Sequence, residues 1–496
     1  MNELNRVIKG LKNKKVAFFH SHILWASHFE TDLELIDLLN QDQIEIYNYV
    51  CDTALKNCDQ NKNVTLSRCA SCIKRRKTGL ALVDNINEVQ IHISKIHFDF
   101  RPDLTVPEFL NLKYKNFDVG YAVLSSVIHI YRDPYINIKK HYHYIKHLIE
   151  TSIGLYEFFI NDLQTRKIDH VFLFNGRFVY TKALVRACES LNISFHSHER
   201  GSSINKFMLF ENSLPHNLQY LNHLMNINWD SPEVPTHTKK KIAEDFFISR
   251  KNAQSKDWPS FVEKQKMGLL PDQWNENAHN IGIFLSSEDE FIAVGEFWKR
   301  PLFNNQIDGI TFILENLKSE HKFHFYIRMH PNSIKAVKFR EKIRDFKNSN
   351  VTIIEPDSKI SSYSLLMAVD KVITFGSTIG IEATFWEKPS INLDNALYYE
   401  LNATYNPKEI DSILPLIKDI NLSAKPKDTT YKYGYYFNSF GYEYTNYKPA
   451  GFFSGAFKGV NLNFIEGINF KNLFKNNNVD QLIKLLVKKT GLRGIK

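Results

Sequence analysis

One pattern recurs along this chain and restricts its fold more than any other. A short apolar run stops at a polar turn, and a helical period follows. Residues 372–375 end at Gly376-Ser377-Thr378 and lead into Ile379-Gly380-Ile381-Glu382-Ala383. The run 15–20 passes through a polar loop, 21–27, to the amphipathic stretch 28–39, and a second strand follows at 44–50. A long helix over 140–165 precedes the run 170–174, which stops at Asn175-Gly176-Arg177. A helix over 180–191 then leads to a strand, 193–196, that ends at His198-Glu199-Arg200-Gly201. Later, 280–285 stops at Ser286-Ser287-Glu288-Asp289-Glu290, and 323–328 stops at Met329-His330-Pro331-Asn332. A helix near 306–319, a strand at 351–354 and a helix at 361–369 complete the series. Continuously apolar strands alternating with helices imply parallel sheets covered on both faces.

With 496 residues the chain exceeds one ordinary core, so two doubly wound α/β domains are expected. The expected limits are 1–240 for the first domain and 241–278 for a charge-rich, helical connector. The second domain is expected at 279–400, with a less regular segment at 401–496 that packs back on the first. That last segment holds the aromatic run 431–437 and an amphipathic end at 479–489. The net charge of +9 includes the clusters Lys74-Arg75-Arg76-Lys77 and Lys239-Lys240-Lys241. Each reads as a solvated face or as a patch for anionic lipid or an anionic acceptor. No run approaches the roughly 20 apolar residues of a membrane span, and the N-terminus lacks a signal-type apolar segment. The expectation is a cytoplasmic protein with peripheral association at the inner face of the plasma membrane. No nucleic-acid partner is expected.

In open α/β sheets, ligands sit outside the carboxyl ends of the strands. Four such ends here carry unusual polar groups: Glu199-Arg200-Gly201, Ser286-Ser287, His330-Pro331 and Gly376-Ser377-Thr378. Gly376 permits close backbone approach, and Ser377 and Thr378 add hydroxyls to a helix start that favours anions. Glu382, one turn further, is placed to bind a pair of sugar hydroxyls. Arg328 and His330, with Ser287 and Arg177, are candidate phosphate or substrate contacts, and Glu290 and the histidines His20, His22 and His28 face the same cleft. Glu199 is the candidate base or nucleophile, and the phosphate-binding groups would stabilise a leaving nucleotide. No Asp-x-Asp pair follows an apolar strand, so metal-free phosphate stabilisation is expected, with no cofactor required for catalysis.

The ordered set Glu199-Arg200-Gly201, His330-Pro331 and Ser377-Thr378 resembles the motifs of bacterial GT-B glycosyltransferases of capsule and surface-polysaccharide synthesis, closest to the Kdo and sialic acid transferase group. Those families carry an acidic-acidic-Gly motif, then His-Pro, then a Ser-Ser or Ser-Thr pair. The resemblance implies two Rossmann-like domains facing across a cleft, with Glu199 acting on acceptor or sugar and His330, Ser377 and Thr378 holding nucleotide phosphate. It implies a CMP- or UDP-linked sugar donor and a glycan or lipid-linked acceptor. Arg200 departs from the pattern where the family has a second acidic residue, and so leaves the donor open. A CDP-polyol phosphotransferase, a UDP-sugar epimerase and a non-catalytic glycan-binding or polysaccharide-export partner are the alternatives.

Four of the five cysteines, Cys51, Cys58, Cys69 and Cys72, fall in one segment, spaced C-x6-C-x10-C-x2-C. In a reducing compartment this suggests a structural zinc site, with free packing thiols as the alternative.

Overall fold

The computed structural model describes residues 3–40, 44–55, 58–63, 65–254 and 265–463. Its strands are, in chain order, β1 (Lys15–Phe19), β2 (Glu45–Val50), β3 (Ile86–Gln90), β4 (His170–Phe174), β5 (Ser194–Arg200) and β6 (Lys206–Glu211). Next come β7 (His279–Phe284), β8 (Phe323–Arg328), β9 (Val351–Ile354), β10 (Lys371–Thr374) and β11 (Ser390–Asn392). The last are β12 (Tyr442–Glu443), β13 (Tyr447–Gly451), β14 (Ser454–Phe457) and β15 (Val460–Asn461).

The first sheet has the order β12-β6-β5-β4-β1-β2-β3 and the second β11-β10-β7-β8-β9. Strands β1 to β5 run parallel, as do all five of the second sheet. Each sheet therefore starts at its centre, winds outward one way and then the other. The chain thus has two Rossmann-like, doubly wound domains. The reversal falls between β1 and β4 in the first sheet and between β7 and β10 in the second.

Period-2 alternation explains the apolar runs. Ala17 and Phe19 of β1 pack with Val123, Leu148 and Leu184, while Val16 and Phe18 point through the sheet to Leu33 and Ile36. In β8, Phe325 and Ile327 meet Ile310 and Ile313, and Tyr326 meets Leu365 and Leu366 on the other face. Both faces are buried, and even the alternating His324, Tyr326 and Arg328 of β8 lie inside the protein.

Two of the expected limits differ. Strand β5 does not stop at residue 196 but continues through Glu199 and Arg200, because β6 pairs with it antiparallel, Glu199 opposite Met208. The boundary expected at 240 falls inside the helix Thr236–Lys251, which packs against Tyr431–Ser439, the helix formed by the aromatic run. The C-terminal part returns to the first domain: β12 joins the first sheet beside β6, and Glu34 accepts backbone N–H bonds from Thr445, Asn446 and Tyr447. The amphipathic stretch 479–489 lies outside the described residues.

The basic clusters are partly internal. Arg75 and Arg76 are buried, paired with Glu30 and Asp52 respectively, and Lys239 is buried on the carbonyls of Asn228, Trp229 and Ser231. Among the described residues no helix is long and apolar enough to cross a membrane.

Candidate functional site

The first wall of the site is built by the ends of β4 and β5. Asn175 and Gly176 both adopt left-handed backbone, φ 58° and 84°, and a Cβ on Gly176 would lie 2.4 Å from Leu214. Only glycine fits there, and the turn throws Arg177 across to the second domain, where Nη1 donates to the Glu290 carbonyl at 2.9 Å. Asn175 Nδ2 donates to Glu199 Oε2 at 2.8 Å, and the Arg200 N–H donates to Oε1 at 3.0 Å. His28 Nδ1 lies 3.9 Å from Oε1, its ring tilted 30° against Phe174 with centroids 3.8 Å apart. Burial, then the neighbouring Arg200, hold His28 well below the usual imidazole range, so it faces Glu199 as a neutral ring. The Glu199 side chain keeps 27% exposure, which leaves it open to the cleft.

Arg200, the departure from the acidic motif, turns away from Glu199. Its Nε donates to Ser27 Oγ at 3.1 Å and Nη2 to the Ala26 carbonyl at 2.7 Å, with Phe452 stacked 3.6 Å over the guanidinium. It ties the loop after β1 to β5 and to the returning C-terminal segment. Behind it, Asp32 bridges two imidazoles, His20 Nδ1 at 2.8 Å and His198 Nε2 at 2.7 Å. Burial alone would raise the Asp32 carboxyl, but His198 and His20 outweigh it and hold it below its ordinary range.

The second wall is a single sheet edge. Thr374 of β10, Phe284 of β7 and Arg328 of β8 are level, so Gly376-Ser377-Thr378, Ser286-Ser287 and His330 emerge side by side, with about 4.8 Å between strands. Gly376 has φ 80°, its N–H donates to Asn392 Oδ1 at 2.9 Å, and an added Cβ would lie 2.4 Å from the Asn395 carbonyl. The Tyr398 hydroxyl donates to the Ser377 carbonyl at 2.5 Å, and Ser377 and Thr378 remain half-buried at the cleft. Ser287 Oγ donates to Asp289 at 2.7 Å. Burial lowers His330 to about 4, so its ring is neutral at pH 7, and its Nδ1 accepts the Asn332 N–H at 3.2 Å. Arg328 is buried. Its Nη1 donates to the Glu355 carbonyl, while Nε and Nη2 have no hydrogen-bond partner among the described residues.

The walls meet at one seam. Arg177 reaches the Glu290 carbonyl from the first domain, and Asn332 Nδ2 reaches Glu290 Oε1 from the His330 turn at 3.0 Å. Arg132 Nη1 adds an ion pair to Asp289 at 3.2 Å. The strand carboxyl ends of the two domains therefore face each other, which is the GT-B arrangement. The structure brings Arg177, Ser287, Glu290 and His330 together at this seam, with Arg328, Gly376, Ser377 and Thr378 on the same edge and Glu199 opposite.

Glu382 is placed differently from expectation. It is fully buried, with Oε1 3.1 Å from Arg250 Nε and Oε2 accepting the Tyr363 hydroxyl, so both oxygens are occupied inside the protein and neither is offered to a sugar. Among the described residues no three of His, Cys, Asp or Glu form a group that could hold a metal, and Cys51, Cys58, Cys69 and Cys72 are free thiols. Asn61 Nδ2 contacts Cys69 Sγ at 3.2 Å, Cys58 donates to Asp59 at 3.7 Å, and burial pushes the Cys72 thiol up to about 12. Asp32, Asn175, Asn332 and Asp289 were not singled out by the sequence reading for these roles. Asn175 carried a usable signal, an Asn-Gly pair directly after a buried strand.

No family model matches the chain, and no curated protein sequence matches it significantly. Among solved structures it is similar to the KpsC beta Kdo 2,4 transferase of Thermosulfurimonas dismutans, at 11% identity and a TM-score of 0.36 over 54% of this chain and 79% of that one. It is also similar to the UDP co-structure of MnaA from S. aureus, at 12% identity and a TM-score of 0.27 over 85% and 92%. A third is UDP-GlcNAc 2-epimerase from Neisseria meningitidis bound to UDP-GlcNAc, at 14% identity and a TM-score of 0.24 over 84% and 96%. The strand orders and the seam define two facing doubly wound domains.

Proposed function

We propose that this protein is a glycosyltransferase that moves a sugar from a nucleotide-activated donor to a growing capsule or other surface polysaccharide. The observation that carries the reading is the seam Arg177–Glu290–Asn332, which sets a partly exposed carboxylate, Glu199, across from a donor-rich sheet edge. On that edge Arg328, with two unfilled donors, and the Gly376-Ser377-Thr378 turn suit the phosphate of a nucleotide sugar. As the sugar–phosphate bond breaks, negative charge grows on the leaving phosphate, and fixed N–H and O–H donors oppose it. Glu199, held by Asn175 and facing a neutral His28, would take the proton of an acceptor hydroxyl.

The test is nucleotide release. Purified protein is incubated with CMP-, UDP-, GDP- and CDP-activated compounds, with and without a saccharide acceptor. Acceptor-dependent release that disappears in Glu199→Gln supports the reading. Full activity of that variant, or isomerisation of a UDP-sugar without acceptor, refutes it.

A further inference from the structure

The first sheet has its own reversal point, between β1 and β4, and the proposed transfer chemistry leaves it unused. A cavity of about 390 Å³ opens there, lined by His22 and Trp25 from the loop after β1 and by Phe178 from the turn after β4. This is the position where open doubly wound sheets hold ligands, and the volume lies within the roughly 300–1,000 Å³ of small-molecule sites.

The lining is chemically divided. Trp25 and Phe178 supply ring faces, 6.2 Å apart at right angles. Asp59 lies in the floor, buried, accepting from Ser126 Oγ at 3.1 Å and lying 3.9 Å from His22 Nε2. His22 Nε2 is itself buried and has no hydrogen-bond partner among the described residues. Asn61 is buried at the edge, and Lys62 and Arg68 stand exposed at the rim. An anionic group cannot sit on the Asp59 floor, but it can sit at the rim. A sugar ring presents an apolar C–H face to aromatic rings and hydroxyl donors to a carboxylate, which is what the floor and walls ask for. The cavity adjoins the cleft on two sides: Trp25 lies 6.0 Å from His28, which faces Glu199, and Phe178 lies under the Arg177 guanidinium at 4.7 Å.

We infer that this crevice is a saccharide subsite for a pyranose bearing a carboxylate. Its ring packs on Trp25 and Phe178, its hydroxyls bond to Asp59, and its carboxylate meets Lys62 and Arg68. Only the naming of that saccharide as the acceptor end rests on the glycosyl-transfer reading.

The experiment is calorimetric titration of the whole protein, without nucleotide, using a disaccharide ending in glucuronic acid and its neutral glucose counterpart. The acidic sugar should bind saturably and the neutral one about tenfold more weakly, as expected for loss of one charge-assisted contact. The double variant Lys62→Ala/Arg68→Ala, at two exposed positions, should abolish that preference. Trp25→Ala should weaken both sugars about tenfold. Absence of binding by either disaccharide, equal binding of the two to the wild type, or an unchanged preference in the double variant would overturn the assignment. Saccharide binding without turnover of any nucleotide sugar would keep the subsite and remove glycosyl transfer. Turnover without saccharide binding would do the reverse.

Discussion

Arg328→Met separates a binding role from a structural one with opposite signs. Burial lowers the Arg328 guanidinium from 12.5 to about 10, against a smaller upward pull from Asp357. At 1.36 kcal/mol per pH unit, that corresponds to about 3 kcal/mol by which folding disfavours the charged form. The sign follows from linkage: the unfolded chain binds this proton more tightly, so the penalty is complete below pH 10 and is relieved only between about 10 and 12.5. At pH 7 methionine removes the penalty and loses one charged hydrogen bond to the Glu355 carbonyl, worth about 1.5–3 kcal/mol. The net is a gain of about 1 kcal/mol for the ligand-free protein, a rise of about 2–4 °C in Tm. Nucleotide binding moves the other way. Loss of a charge-assisted contact of about 2 kcal/mol weakens Kd about thirtyfold. Differential scanning fluorimetry with and without nucleotide measures both. A Tm lowered by several degrees with an unchanged nucleotide Kd would refute the reasoning and make Arg328 a structural cation.

Other expectations follow from single contacts. Glu199→Gln, whose hydrogen bond from Asn175 survives, should cut turnover about 10²–10⁴-fold while Tm stays within about 1–2 °C. Glu34→Ala leaves the N–H groups of Thr445, Asn446 and Tyr447 without their acceptor, so it should cost about 3 kcal/mol or more and speed amide exchange across 444–457. Burial raises Asp59 from 3.8 to about 6. The folded state therefore binds the extra proton, and stability falls as pH rises from about 4 to 6 and then levels. Asp59→Asn should be more stable than wild type at pH 7.5 and equal to it near pH 3.5, as read by thermal melts across that range.

The sequence carried the sheets well because their strands are buried on both faces. Residues 171–174 and 281–284 are unbroken apolar runs, and an unbroken run between polar turns has few other readings. It carried less of what depends on distant pairing. Glu199 reads as a turn residue from its polar neighbours, yet β6 keeps it in a strand, and nothing local records that pairing. Glu382 reads as a ligand because it follows a Gly-Ser-Thr turn. Its actual partners, Arg250 and Tyr363, are 132 and 19 residues away in the chain. Asp32 and His198, 166 residues apart, meet only when β1 and β5 are brought close through β4. The cysteine spacing suggests a metal, and nothing in it records that Cys58 meets Asp59 and Cys69 meets Asn61.

The most direct test of the central claim is the release of nucleotide from an activated sugar, followed by chromatography, with the saccharide acceptor present and then omitted. Acceptor-dependent release, with the sugar recovered on the acceptor and lost in Glu199→Gln, is the predicted result. No release from any CMP-, UDP-, GDP- or CDP-activated sugar, or full release by Glu199→Gln, would contradict it.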